Sequence, residues 1–70
     1  MLNNLPELRA ARGWTQAQLA AAVGVSRQTI ISIERGRFDP SLPLAFVLAE
    51  CFERRIEDLF QPDQVHTPRR

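Results

Sequence analysis

Apolar residues recur along this chain in short bursts spaced three and four apart, the period of helices that bury one face. Leu5 and Leu8 open the first burst and predict a helix from Leu5 to Arg12, closed by Gly13. Thr15, followed three positions on by Gln18, forms a capping box. It starts a second helix with Leu19, Ala20 and Val23 on its apolar face and Gly24 at its end. Ser26 caps a third helix that reaches Glu34 or Arg35 and stops at Gly36, and Arg37-Phe38-Asp39-Pro40 reads as a loop. Ser41 caps a fourth helix, which tolerates Pro43 in its first turn. Its inward stripe is expected to be Leu42, Ala45, Leu48, Ala49 and Phe52. A short fifth helix runs from Ile56 to Phe60, before Gln61-Pro62. Strand signals are nearly absent and nothing repeats. The expectation is one all-α, five-helix domain over residues 1–61, with a flexible polar tail over 62–70.

The stretch from Thr15 to Glu34 carries the chemistry. Two helices of about eight residues flank a turn of three or four, with Gly24 where the chain needs a positive φ. This spacing is a helix-turn-helix. Ala20 is small enough for the two helices to approach closely, Val25 plugs the turn, and Ile30 and Ile33 lock the third helix inward. At about 100° per residue, the opposite arc of that helix holds Arg27, Gln28, Ile31, Ser32 and Arg35. Arginine pairs in bidentate fashion with guanine O6 and N7, and glutamine with adenine N6 and N7. Arg27, Gln28, Ile31 and Ser32 are therefore the candidate base readers, with Ile31 suited to a thymine methyl. Gln16 in the first turn of helix two, with Thr29, Arg35 and Arg37, is the candidate set of phosphate clamps.

Charge changes this picture in one respect. Net charge is only +1, but residues up to Phe38 carry five arginines against Glu7 and Glu34. From Asp39 on, four arginines meet six acids. The basic half is the half that contains the helix-turn-helix. Seventy residues form one domain with a marginal core, burying about 60% of the unfolded surface. Cys51 is the only cysteine, so no disulfide staples the chain, and a core or near-core place suits it. A single thiol, no leader-like pattern and no apolar run near the ~18 residues of a membrane span predict a cytoplasmic protein with no membrane partner. His66 stands alone in the tail, so no metal site is expected. No phosphate-cradling glycine loop and no nucleophile-base grouping are present, so neither a cofactor, a small-molecule ligand nor an enzyme is expected.

Residues 5 to 60 resemble the Xre/Cro family of helix-turn-helix regulators, with the lambda-repressor-like fold. The resemblance is carried by Glu7-Leu8-Arg9-x-x-Arg12-Gly13, Thr15-Gln16-x-x-Leu19-Ala20, Gly24-Val25-Ser26-Arg27-Gln28-Thr29-Ile30, Ile33-Glu34-Arg35-Gly36, Pro40-Ser41-Leu42 and Ile56-Glu57-Asp58-Leu59-Phe60. It implies base reading by the start of helix three, double-stranded DNA as partner and a DNA-bound homodimer, a repressor at a palindromic operator. It also implies a structural ion pair between Arg9 and Glu34. Trp14 stands where the family more often has leucine and is expected to pack over the end of helix one. Ile31 replaces a small or polar residue. Ile56, Leu59, Phe60 and Val65 are the candidate dimer surface, the alternative being the chain's own core, which suits Ile56 and Leu59 best. The rival expectation is a protein-interaction module of the same fold, an antitoxin or co-regulator, prompted by the acidic second half and by Ile31.

Overall fold

The computed structural model describes residues 1–61. Five helices run in order: α1 (Leu5–Ala11), α2 (Gln16–Val23), α3 (Arg27–Glu34), α4 (Leu42–Phe52) and α5 (Ile56–Leu59). Two short strands, β1 (Leu2–Asn3) and β2 (Phe60–Gln61), pair antiparallel, with Leu2 opposite Gln61 and Asn3 opposite Phe60. These strands are the one departure from the expected all-helical chain, and they end α5 at Leu59 rather than Phe60. A two-residue strand has no alternation to detect. What holds it besides the strand pairing is Asn4, through its side chain and its backbone. Asn4 Nδ2 donates to the Asp58 carbonyl at 3.0 Å, and the Asn4 backbone N–H donates to the Leu59 carbonyl at 2.9 Å.

The starts and stops of the helices are local chemistry. At α2, Thr15 Oγ1 accepts the Gln18 N–H at 3.1 Å while Gln18 Oε1 accepts the Thr15 N–H at 2.8 Å. Ser26 caps α3 by accepting the Thr29 N–H, and Ser41 caps α4 by accepting the Leu44 N–H. Each such cap satisfies a backbone donor that the helix leaves open and contributes about 1 kcal/mol. Gly24 closes α2 at φ 80°, its N–H returning to the Ala20 carbonyl.

The core gathers one face from every helix. Leu5, Leu19, Ile30, Ile33, Leu48 and Leu59 are fully buried, with Ala20, Ala45, Ala49, Phe52 and Phe60 packed around them. Burying each of the larger aliphatic side chains contributes about 1.5–3 kcal/mol. α2 is the hub, in contact with both α3 and α4, and α5 packs on α4. Ala20 is buried in α2, where a larger side chain would hold its neighbours apart. Leu42 departs from the predicted inward stripe of α4: it is 65% exposed. It stands one turn before Phe46, which is 58% exposed, and shares that outer flank of the helix.

Trp14 packs farther than the end of α1. Its ring meets Phe52 of α4 at 5.7 Å between centroids, and the Arg12 guanidinium lies over both rings at 5.2 and 5.3 Å. Arg12 Nη1 also donates to the Cys51 carbonyl at 3.0 Å, so this corner pins the end of α1 to the end of α4. Cys51 is half-buried against the core. Among the described residues no helix is long and apolar enough to cross a membrane.

Candidate nucleic-acid interface

The position of α3 is fixed at both ends by polar contacts. At its start, Ser26 Oγ lies 2.9 Å from Thr29 Oγ1 in addition to capping the backbone. At its end, Arg9 from α1 grips Glu34 with two bonds: Nε donates to Oε2 at 2.8 Å and Nη2 to Oε1 at 3.1 Å. The third arm of the guanidinium, Nη1, donates to the Trp14 carbonyl at 2.9 Å. Glu34 Oε1 also accepts Gln16 Nε2 at 3.0 Å. One carboxylate thus ties together α1, the turn before α2, α2 itself and α3. The Glu34 side chain is 5% exposed and that of Arg9 19%. The Arg9 guanidinium is held above its ordinary pKa, foremost by the hydrogen bond to Glu34 and also by its charge, against burial, which lowers it. A raised arginine contributes its stability at all pH below its unfolded value, so Arg9 introduces no titration near neutrality. Asn3 completes the clamp by donating Nδ2 to the Ile33 carbonyl at 2.9 Å.

This clamp sorts the candidate residues. Arg27 and Gln28 occupy the first turn of α3 and are exposed. Ile31 and Ser32, one turn on, are half-buried, so Ile31 is less open than its place on the polar arc suggests. Among the phosphate candidates, Arg35 and Arg37 are exposed beyond the end of the α3 core contacts. Thr29 is half-buried with its hydroxyl on Ser26, and Gln16 is half-buried with its amide on Glu34. Gln16 thereby positions α3 from α2, and Thr29 ties the first turn of α3 to its cap. Of the five arginines in the basic half, Arg9 and Arg12 are committed to internal contacts. Arg27, Arg35 and Arg37 carry no ion pair among the described residues, and all three lie on α3 or in the loop after it.

Sequence reasoning missed Phe38. It is 48% exposed, and with Ser26, Gln28, Thr29 and Ser32 it lines a shallow hollow of about 210 Å³ beside the first turns of α3. The available signal was an aromatic residue in a polar loop directly after a basic helix. Of the candidate dimer residues, Phe60 is placed differently from its expectation, and Leu59 takes the core place that was its alternative. Leu59 is fully buried and Phe60 nearly so, both in the chain's own core, and neither offers area to a second chain. Ile56 is half-buried, and Val65 lies outside the described residues, as do His66 and the tail.

The helix-turn-helix family profile matches residues 7–59, which span α2, α3 and the exposed Arg27, Gln28, Arg35 and Arg37. An uncharacterized HTH-type transcriptional regulator of Methanocaldococcus jannaschii is 55% identical over 60 residues, covering 86% of this chain and 91% of that protein. A second such regulator, of Archaeoglobus fulgidus, is 50% identical over 60 residues and covers 86% of each. Among solved structures, the restriction-modification controller protein C.AhdI from Aeromonas hydrophila superposes with a TM-score of 0.73 at 36% identity, over 80% of this chain and 85% of that one.

Proposed function

Because the chain belongs to the helix-turn-helix family of Xre/Cro-like transcriptional regulators, DNA-binding proteins and not enzymes, we propose that it is a repressor. It binds a palindromic operator as a homodimer, with the first turns of α3 in the major groove. The observation that carries this reading is the state of the arginines. The two that hold the fold together are engaged, and the three that lie on or after α3 are exposed and free of ion pairs among the described residues.

Arg27 and Gln28 stand at the start of α3, where a recognition helix presents its base-reading side chains. Their long polar arms match the acceptor pair of guanine and the donor-acceptor pair of adenine. Ile31 and Ser32 read the next base pair by apolar contact and hydroxyl. Arg35 and Arg37 fix the register by gripping phosphates, which carries no sequence information of its own. Two such helices about 34 Å apart would enter successive major grooves. Occupation of a site that overlaps a promoter excludes polymerase sterically.

Selection from random double-stranded DNA, run beside an R27A/Q28A control, tests the proposal. The native protein is expected to enrich a two-fold symmetric motif, and the control to lose it while keeping its helical circular dichroism. A folded native protein that enriches no motif at moderate salt would overturn the DNA reading. The same fold would then be a protein-binding module.

A further inference from the structure

Phe38 is an aromatic side chain left open beside the reading helix, in the loop that follows α3. The chain just before it is tied back onto that helix. The Gly36 N–H donates to the Ile33 carbonyl at 2.9 Å, and the Arg37 N–H donates to the Ser32 carbonyl at 3.0 Å. A ring held half in water in this way adds little to the core and keeps its apolar area for a ligand.

The hollow that Phe38 lines has polar walls of two kinds. The Ser26 and Thr29 hydroxyls lie 2.9 Å apart and satisfy each other. Gln28 and Ser32 also line it, and neither side chain has a hydrogen-bond partner among the described residues. At about 100° per residue, Gln28 and Ser32 point away from the buried Ile30 and Ile33. The hollow therefore opens on the side of α3 that base pairs would face, with the Phe38 ring as its apolar wall. Ile31 does not line it, so the two apolar side chains serve separate flanks of the helix.

We propose that Phe38 and this hollow read the C5-methyl group of a pyrimidine in the major groove, which makes a loop residue outside α3 a determinant of specificity. The inference rests on the base reading by α3 proposed above and adds to it a residue and a ligand group. Thymine shows a methyl beside its O4 acceptor, whereas cytosine has hydrogen there beside its N4 donor. An aromatic ring takes the methyl by apolar contact. The Ser32 hydroxyl both donates and accepts, so it meets O4 and N4 alike, and Gln28 stays open to a neighbouring purine. The polar walls thus leave the choice of base to the methyl. Thymine and 5-methylcytosine are the two sources of that group.

The test uses the operator recovered by selection, in anisotropy titrations of native protein and F38A at one salt concentration. Each thymine of the half-site is replaced in turn by uracil, which removes only the methyl. At one position the native protein is expected to bind about fourfold more weakly per half-site, the worth of one buried methyl. F38A should bind the thymine and uracil duplexes equally, and F38L, which keeps an apolar wall, should retain part of the preference. Thermal melts check that both variants fold, and the native titrations need no variant at all. Cytosine and 5-methylcytosine at the same position, each paired with guanine, distinguish the two sources. A preference for 5-methylcytosine that F38A erases supports a site open to both, and its absence beside a thymine preference supports thymine as the ligand. Equal loss by F38A on thymine and uracil duplexes would place the ring on the sugar-phosphate backbone and overturn the proposal. A half-site in which no uracil weakens native binding would overturn it too. Failure to enrich any operator sinks the DNA reading itself, whereas an operator bound without regard to methyl groups sinks this inference alone.

Discussion

A single carboxylate decides how firmly α3 is held. Glu34 accepts three hydrogen bonds, two from Arg9 and one from Gln16, and is almost wholly shielded from water. Removing Arg9 leaves that charge with one neutral donor in a place where solvent cannot replace the other two. R9A is therefore expected to lose about 2–4 kcal/mol in urea unfolding, below the full-burial range because Arg9 is itself partly solvated. R9A/E34Q should recover part of the loss, since the buried charge goes with its partner. Q16A should cost about 1 kcal/mol, the worth of one hydrogen bond. Gln16 was legible in the sequence as a polar residue at the start of a helix, but its engagement with Glu34 was not. That contact exists only because folding brings residues 18 positions apart to 3.0 Å.

At the scale of elements, the backbone at two helix ends makes the same demand of different residues. Gly24 ends α2 at φ 80°, and Glu53 ends α4 at φ 56°. Only glycine adopts this left-handed conformation without strain; another residue pays about 1–2 kcal/mol. G24A is thus expected to destabilise by about 1 kcal/mol, although a Cβ there would meet nothing within 4 Å. E53G removes the same strain but frees the unfolded chain, so a net gain of about 0.5–1 kcal/mol is expected. Paired melting curves of G24A and E53G check both signs. Most elements were legible for this reason: Thr15, Ser26 and Ser41 cap helices and Gly13, Gly24 and Gly36 end them through chemistry confined to a few neighbours. The β1–β2 pair and the outer face of α4 were not. The first joins the two ends of the described chain through the Asn3–Phe60 strand pairing and the Asn4 side chain, and the second depends on which flank of a helix apolar from Leu42 to Ala49 meets α2. Periodicity cannot decide that for Leu42, because every position after it through Ala49 is apolar.

For the whole molecule, a net charge of +1 gives little general attraction to DNA, so its affinity must come from where the free arginines lie. Arg35 and Arg37 are exposed at and just beyond the C-terminal end of α3, away from the reading turn at its start. Each phosphate contact contributes about 0.9 to the slope of log affinity against log salt. Two contacts per chain and two chains make four, so R35A/R37A should flatten that slope by about 3.6. Were a single chain to bind, the change would be about 1.8. Arg27 belongs to base reading, and R27A should leave the slope nearly unchanged while eroding the difference between operator and scrambled DNA. Fluorescence anisotropy titrations on both duplexes between about 50 and 200 mM salt measure slope and discrimination together. A large slope change in R27A with discrimination retained would exchange the roles of the two groups. It would move base reading away from the first turn of α3, toward Ser32 and the hollow that Phe38 lines.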